Sequence, residues 1–344
     1  MVRPLAEARL MRPPSISYPV LVADVGGTNC RLSLVADPES PHRPLARFGT
    51  GSHPTAEAAF SAFLSEVPEK PRSAVIAVAG PLDGRQAQLT NAVWSFDGPR
   101  IAAALGLTQG LLVNDFEALA ASLAVLGPDD AVTLVEGQPD PQGVRLVLGP
   151  GTGFGAAALL THGERGMLIP TESGHIGIGP EDQTEHRIWP ALSNGVPRMT
   201  VEHLLSGSGL VRLHKAVVLT SGTPAPEVSA ADVARLAQDG DPGALMTVVC
   251  FWRLLARVAG DLALVFKATG GVFIAGGIAP HLLPLVDRAA IRTVFTSKPP
   301  MEELAGSFPL HVVTAPDAAE QGLAAIAGNL HRFGLDDPKR LWFG

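Results

Sequence analysis

The stretch VLVADVGGTNCRLSLV over residues 20–35 constrains the fold more than any other part of the chain. Two apolar runs flank a glycine pair, and one aspartate, Asp24, stands where the burial pattern gives way to the turn. Apolar runs of this length bounded by glycine read as strands, and the few residues between them make a β-hairpin. Glycine reaches left-handed backbone angles and carries no side chain, so Gly26 and Gly27 are expected to expose their amides as an anion nest. Thr28 and Asn29 add side-chain donors at the tip. Phosphates bring Mg²⁺, which accepts one or two carboxylates and keeps much of its water, so Asp24 beside the nest suits a magnesium ion held through water. An ordinary Gly-Gly hairpin with a capped aspartate accounts for the same residues.

A second stretch, VLGPGTGFGAAALL over 147–160, repeats the order of apolar run, glycine turn with a threonine, and apolar run. Two such hairpins point to a duplicated fold whose halves face each other across a cleft. Within it, Gly153-x-Gly155-x-x-Ala158 matches the relaxed dinucleotide fingerprint, with Glu172 at a suitable distance. That fingerprint must open a helix, whereas 156–160 reads as the return strand of a hairpin. No Gly-x-x-x-x-Gly-Lys-Ser/Thr sequence occurs, which excludes a P-loop. A third cluster, GGVFIAGGI over 270–278, reads as a buried strand, a Gly-Gly turn and a helix, where backbone can approach a flat ligand or simply pack tightly.

The 344 residues form two lobes by the usual domain size, and 46% hydrophobic against 17% charged residues is a globular α/β composition. A net charge of −7 without a basic block argues against nucleic acid or anionic membrane as partner and favours small molecules. Cys30 and Cys250 are too few for a disulfide framework, and a reducing cytoplasm is the default. Residues 1–18 read as a loose extension without a secretory apolar stretch, with Met11 as another candidate start. Apolar runs such as 243–252 are broken by Arg253, Arg257 and Asp261 before reaching membrane-spanning length. Strands are expected at 20–25, 30–35, 74–79, 110–113, 144–148, 155–160 and 271–275. Helices are expected at 55–66, 100–106, 115–126, 200–217, 229–237, 242–268, 281–293 and 317–333, the long one at 242–268 buried. A change of pattern near 127–130 marks a lobe boundary.

LLVNDF over 111–116 ends a strand in Asn114 and Asp115 and then enters a helix. A carboxylate at the carboxyl end of a strand is where α/β folds place working groups, and Asp115 suits a proton acceptor for a hydroxyl attacking phosphorus. Either residue also serves as a helix cap. In TESGH over 171–175 the Ser-Gly pair argues against a metal-binding helix, so Glu172 and His175 are hydrogen-bonding groups in a loop. Glu202, after Thr200, fits a helix N-terminus. Asn91, in LTNAVWSF, is a polar loop residue ahead of a buried tryptophan.

VADVGGTNCRLSLV, LTNAVWSF, VNDFEALA, VLGPGTGFG, ESGHI, VEHLLSGSGL and GGVFIAGGI follow one another in an order that closely resembles bacterial glucokinases of the proteobacterial type, over roughly residues 20–330. The resemblance implies a two-lobed, actin-like ATPase fold of the duplicated ribonuclease H-like kind, with ATP, Mg²⁺ and D-glucose in the cleft. It implies a small lobe of 19–126 plus 317–344, a large lobe of 127–316, and a homodimer. By the same likeness Asp24 to Asn29 form the first phosphate segment and Gly151, Thr152 and Gly153 the second, while Gly276 and Gly277 lie against the nucleoside. Asn114, Asp115, Glu172, His175 and Glu202 match sugar-contacting positions, Asn91 is a further one, and Asp115 matches the general base. The implied reaction is phosphorylation of glucose at its 6-hydroxyl. Ser173 stands where many relatives carry glycine, and 315–322 is a looser match than the rest.

A sugar-responsive regulator of the same fold needs a DNA-binding helix-turn-helix before the sugar domain, and about 18 irregular residues precede Val20. The related repressor-kinase family carries a cysteine-rich zinc loop, and 176–190 has no cysteine. A kinase for another hexose is a third reading, since a few contacts decide sugar discrimination.

Overall fold

The computed structural model describes residues 15–89, 92–163 and 165–344. The expected contact at Asn91 and most of the N-terminal extension therefore lie outside the described residues. In chain order the strands are β1 (Val20–Val25), β2 (Asn29–Val35), β3 (Arg43–Gly49), β4 (Ser73–Val78), β5 (Leu82–Asp83), β6 (Gln86–Gln88), β7 (Ser95–Asp97) and β8 (Gln109–Asn114). They continue with β9 (Ala131–Val135), β10 (Arg145–Pro150), β11 (Phe154–His162), β12 (Arg165–Thr171), β13 (Gly271–Ile274), β14 (Leu310–Val313) and β15 (Leu341–Phe343).

Two six-stranded sheets share one plan, with orders β15-β8-β4-β1-β2-β3 and β12-β11-β10-β13-β14-β9, and β5–β7 form a small third sheet. In each large sheet an antiparallel meander leads into parallel strands: β1 pairs antiparallel with β2 and parallel with β4, as β10 does with β11 and β13. An antiparallel edge strand completes each, β15 on β8 and β9 on β14. The echo between the glycine hairpins is thus a duplication of sheet topology, and both hairpins sit at the same place in their sheets.

Parallel strands covered on both faces bury every residue, which explains the apolar run 74–78 of β4 and that of most of β1. The helix Pro242–Phe266 is buried over most of its surface, as its apolar circumference required. Its Arg257, 3% exposed, is neutralised by Glu185 at 2.8 Å and Glu181 at 3.3 Å. One core cluster joins the two sheets, and helices Asp115–Ser122 and Ala318–Gly328 run through it. These helices cross so closely that a methyl group at Gly322 would overlap the Ala118 carbonyl.

Several expectations are corrected. The 200–217 helix is two helices, Val201–Leu204 and Gly207–Thr220, broken where extended Ser206 caps the second by accepting from the Gly209 amide at 3.0 Å. The 281–293 helix divides into Ala279–Leu282, a 3₁₀ turn at Leu283–Leu285 and Arg288–Thr296, because Pro284 and the capping Asp287 interrupt it. The 115–126 helix ends at Ser122, and the 317–333 helix ends at Gly328 before a 3₁₀ turn. A helix at Gln183–Ser193 forms although Pro190 lies inside it, anchored by buried Glu185 and Ile188. Strands β3, β5, β6, β7, β9, β12, β14 and β15 were not expected; they are short, partly exposed or interrupted by polar residues. Ile16, inside the expected loose extension, is buried in the shared core, and the Ser15 carbonyl accepts from Gln109 at 2.9 Å.

Candidate active site

The parallel register aligns Val25, Val78 and Asn114 across β1, β4 and β8, so three strands deliver their carboxyl ends to one edge. Asp24 and its turn leave from β1, Gly80 follows β4, and Asn114-Asp115 end β8. The Asn114 side-chain amide donates to the Gly80 carbonyl at 3.4 Å, and its Oδ1 accepts from the Phe116 amide at 2.9 Å. Capping and site-building are therefore one arrangement. The Asn114 backbone amide donates to Glu117 Oε2 at 2.8 Å, and Arg340 grips both oxygens of Glu117 at 3.0 and 2.8 Å. Glu117 is buried, so this bidentate pair fixes the strand–helix junction from the C-terminal end of the chain.

Asp115 is partly exposed at the head of its helix, and its Oδ1 accepts from the Phe116 amide at 3.0 Å. Burial, and next the charge of Asp24, lift its proton affinity to a pKa of about 7, although hydrogen bonds from the Phe116 amide, its own amide and Asn114 pull the other way. Asp24 faces Arg31 across the β1–β2 pair at 3.0 Å. Its pKa is nonetheless raised, because burial outweighs the guanidinium. Glu320, on Ala318–Gly328, is buried with one oxygen unpartnered, and burial followed by the charge of Asp24 raises it to about 7.

In the first turn the Gly26 amide donates to the Asn29 carbonyl at 2.9 Å. Thr50 steadies the loop, its hydroxyl donating to the Gly27 carbonyl at 2.8 Å and its amide to the Thr28 carbonyl at 3.1 Å. Neither Gly26 nor Gly27 has a positive φ, which corrects the expected left-handed turn. What glycine supplies there is the missing side chain. Among the described residues the amides of Gly27 and Thr28 have no protein acceptor, and Thr28 and Asn29 are exposed.

The second hairpin closes through Pro150 opposite Phe154, with the Gly151 amide donating to the Gly153 carbonyl at 2.8 Å and the Gly151 carbonyl accepting from Gly207 at 2.9 Å. The Gly151 amide is thus spent internally, while those of Thr152 and Gly153 have no acceptor among the described residues. The helix break at Ser206 is what carries Gly207 to this turn. Gly276, with φ of +91°, lies so close to the Pro150 carbonyl that any side chain would overlap it. Gly277 faces open space on a cavity of about 310 Å³ walled by Leu210, Ala234, Ile278 and Leu282, with Gln238 and His281 as polar contacts. Its apolar walls suit a nucleoside base. These wall residues gave no sequence signal beyond the Gly-Gly pair.

Phe116, the residue after Asp115, lies against Gly155, where a methyl group would overlap its ring. That contact seats the Asp115 helix on the second hairpin. The amide of Phe154 donates to Glu202 Oε2 at 2.9 Å, and Gly153 lies beneath the same carboxylate. Glu172 precedes and His175 ends a single 3₁₀ turn, Ser173–His175, with their side chains 3.7 Å apart and exposed. The turn abuts Phe154 through Gly174 and joins the Glu202 segment through the Val201 amide, which donates to the Ile176 carbonyl at 3.1 Å. Glu172, His175 and Glu202 are thereby brought together beside the second turn, and Ser173 is buried away from them, accepting from Thr171 at 3.1 Å. Arg31, Glu117, Glu320 and Arg340 were not expected. Only Glu117 had a signal, three residues after Asn114 in a capping-box spacing.

One sheet plan used twice, each copy carrying a glycine hairpin at the same strand pair, defines the actin-like ATPase fold. Within it, the sheet edge that carries Asp115 also carries the first amide turn, and the Asp115 helix rests on the second, the layout of a phosphotransferase of that fold. The family model described as Glucokinase matches residues 21–330. A glucokinase of Sinorhizobium fredii is 40% identical over 330 residues, covering 95% of this chain and 97% of its own. The crystal structure of a glucokinase from an Antarctic psychrotroph superposes with a TM-score of 0.80 at 32% identity, covering 90% of this chain and 99% of that one. A glucokinase from Streptomyces griseus, solved in complex with glucose and AMPPNP, shares the fold at 20% identity and a TM-score of 0.62, over 91% of this chain and 99% of that one. The chain belongs to the glucokinase family.

Proposed function

We propose that the protein transfers the γ-phosphoryl group of ATP to the 6-hydroxyl of D-glucose, with Asp115 as general base. Family membership supports the reaction, and the observation that carries the mechanism is Asp115 itself. It stands at the carboxyl end of β8, partly exposed, with a pKa of about 7 and its junction locked by Asn114, Glu117 and Arg340. A base of that affinity is half ionised near neutral pH and accepts a proton as the hydroxyl oxygen attacks phosphorus. Glu172, His175, Glu202 and Asn114 orient the sugar hydroxyls, with Asn91 as a further contact. The open amides of Gly27, Thr28, Thr152 and Gly153 bind phosphate oxygens, with Gly26, Asn29 and Gly151 shaping the turns, and the nucleoside lies along Gly276 and Gly277. Positioning and preset dipoles of this kind supply most of the acceleration in phosphoryl transfer.

The donor set fits a magnesium ion that travels with the nucleotide. Asp24 Oδ1 has no protein donor among the described residues, which leaves it open to an ion that brings its phosphate and water ligands with it. Asp24 would hold the ion, which supplies neutralisation of phosphate charge. The two sheets with their helices correspond to a small lobe of 19–126 plus 317–344 and a large lobe of 127–316, closing on the substrates to exclude water. No described helix is long and apolar enough to cross a membrane. A cytoplasmic homodimer is the form proposed, the dimer resting on the family resemblance and the compartment on that resemblance and on two free thiols.

A coupled assay with ATP and a panel of glucose, mannose, fructose and N-acetylglucosamine tests the reading. Turnover with glucose at the highest kcat/KM is expected, and preference for another hexose by tenfold or more refutes the substrate assignment.

A further inference from the structure

A cavity of about 560 Å³ lies away from the cleft, where Arg145 of β10, Arg165 of β12 and Arg332 of the 3₁₀ turn after Ala318–Gly328 converge, with Thr161 and Asn329 as polar neighbours and Phe333 among its walls. Its position follows from the sheet. β10 and β11 carry the second glycine turn at one end and this cavity at the other, so at about 3.3 Å per residue the two are roughly 20 Å apart. β12 returns beside β11, opposing Arg165 to His162 and Gly166 to Thr161. Gly166 lies 2.7 Å, measured from where a Cβ would stand, from the Arg332 carbonyl, so the 3₁₀ turn lies directly against the hairpin.

Three guanidiniums on one cavity are unusual in a chain of net charge −7. Among the described residues no carboxylate pairs with any of them within salt-bridge distance. Of the described acidic neighbours, Asp140 accepts from the Gln142 amide at 2.9 Å, and Asp336, whose carboxyl pKa the charge of Arg165 helps to lower, is held by His331 at 2.7 Å and forms no ion pair with an arginine of the cavity. Arg145 donates to the Leu123 carbonyl with one nitrogen, and Arg332 stacks over Phe333 at 5.7 Å. Both arginines are thus pre-oriented and keep further N–H groups for a ligand. The volume matches small-molecule sites, and planar guanidinium forks match phosphate oxygens in geometry as well as charge.

We propose that this cavity is a second ligand site, separate from the catalytic cleft, for a small mono- or diphosphate compound carrying at least two negative charges. Thr161 and Asn329 would bind the polar part of such a molecule, and the aliphatic stem of Arg332 its carbon skeleton.

The test is calorimetric titration of the full-length protein with the cleft filled by glucose and AMPPNP, using glucose 6-phosphate, pyrophosphate and citrate as probes. Saturable binding of glucose 6-phosphate or pyrophosphate with Kd on the order of 10–500 μM, weakening as salt rises, is expected. The Arg165→Gln/Arg332→Gln variant should bind at least about tenfold more weakly, which is about 1.4 kcal/mol, while its kcat/KM without probe is unchanged. Single Arg165→Gln, at an exposed position, covers the case in which the double variant folds poorly. Absence of binding by both phosphates, or binding undiminished in the variants, overturns the site. Citrate binding as tightly as pyrophosphate overturns the assignment to phosphates. This readout stands whether or not the cleft phosphorylates glucose.

Discussion

Replacing Asp115 by asparagine is expected to abolish turnover and at the same time to stabilise the ligand-free protein. An ordinary aspartate titrates at 3.8, and in the folded protein Asp115 is lifted to about 7 by burial and by Asp24. Because the folded-state pKa is the higher one, the fold is favoured fully below 3.8, and that advantage is lost as pH rises through 7. Ionised Asp115 therefore costs up to about 4 kcal/mol of folding free energy at pH 8, and about half of that after allowance for its contact with solvent. Asparagine carries no charge and keeps the oxygen that accepts from the Phe116 amide. At about 2.1 cal/mol/K of unfolding entropy per residue over 344 residues, 2 kcal/mol raises Tm by roughly 3 °C. Thermal melts of the two proteins from pH 4 to 9, without nucleotide or divalent ion, read the difference directly. It should reach about a third of its full size by pH 5 and level off above pH 7. A variant that melts lower than the parent, or a difference independent of pH, refutes the account of a strained, proton-hungry carboxylate; near-normal turnover refutes the base assignment.

The same group shapes the pH profile: kcat/KM for glucose should fall about tenfold per pH unit on the acid side, because protonated Asp115 cannot accept the hydroxyl proton. With Mg²⁺-nucleotide bound, the break should lie below the value of about 7 in the free protein, since a cation near Asp24 offsets the charge that raises it. A pH-independent rate between 5 and 8 refutes this assignment. Glu202→Gln should raise the glucose KM by about tenfold or more while the protein stays folded; an unchanged KM shows that Glu202 does not touch the sugar. Arg340→Ala leaves Glu117 buried without its partner and should cost about 3–5 kcal/mol, seen as a lowered denaturant midpoint, with Arg340→Lys restoring part of it. A loss below about 1 kcal/mol refutes the clamp.

Burial and turn chemistry are written locally, which is why the two glycine hairpins, the strand leading to Asn114-Asp115 and the buried helix after Asp241 were readable from residue types and spacing. Local breaks with a tertiary purpose were not. Ser206-Gly207 reads as a tolerable interruption of a helix, yet it breaks it and sends the Gly207 amide to the second turn. The helix Gln183–Ser193 contains Pro190 and was not read from residue types; its Glu185 and Ile188 are buried. The Gly-Gly pair in the first turn invited left-handed angles, and the turn closed without them, through the Gly26 amide and the support of Thr50.

The sequence by itself determined which segments are buried, where the chain turns, and which short runs offer bare amides beside a carboxylate, because these follow from side-chain polarity, capping groups and the missing side chain of glycine. Only the tertiary structure decided the chemistry of Asp115. Its pKa of about 7 depends on burial and on Asp24, far away along the chain but on the same sheet edge. Its position depends on Arg340, near the C-terminus, and on Gly155 of the other hairpin. Proton affinity is set by surrounding charge and solvent, and both are properties of the assembled space around a residue.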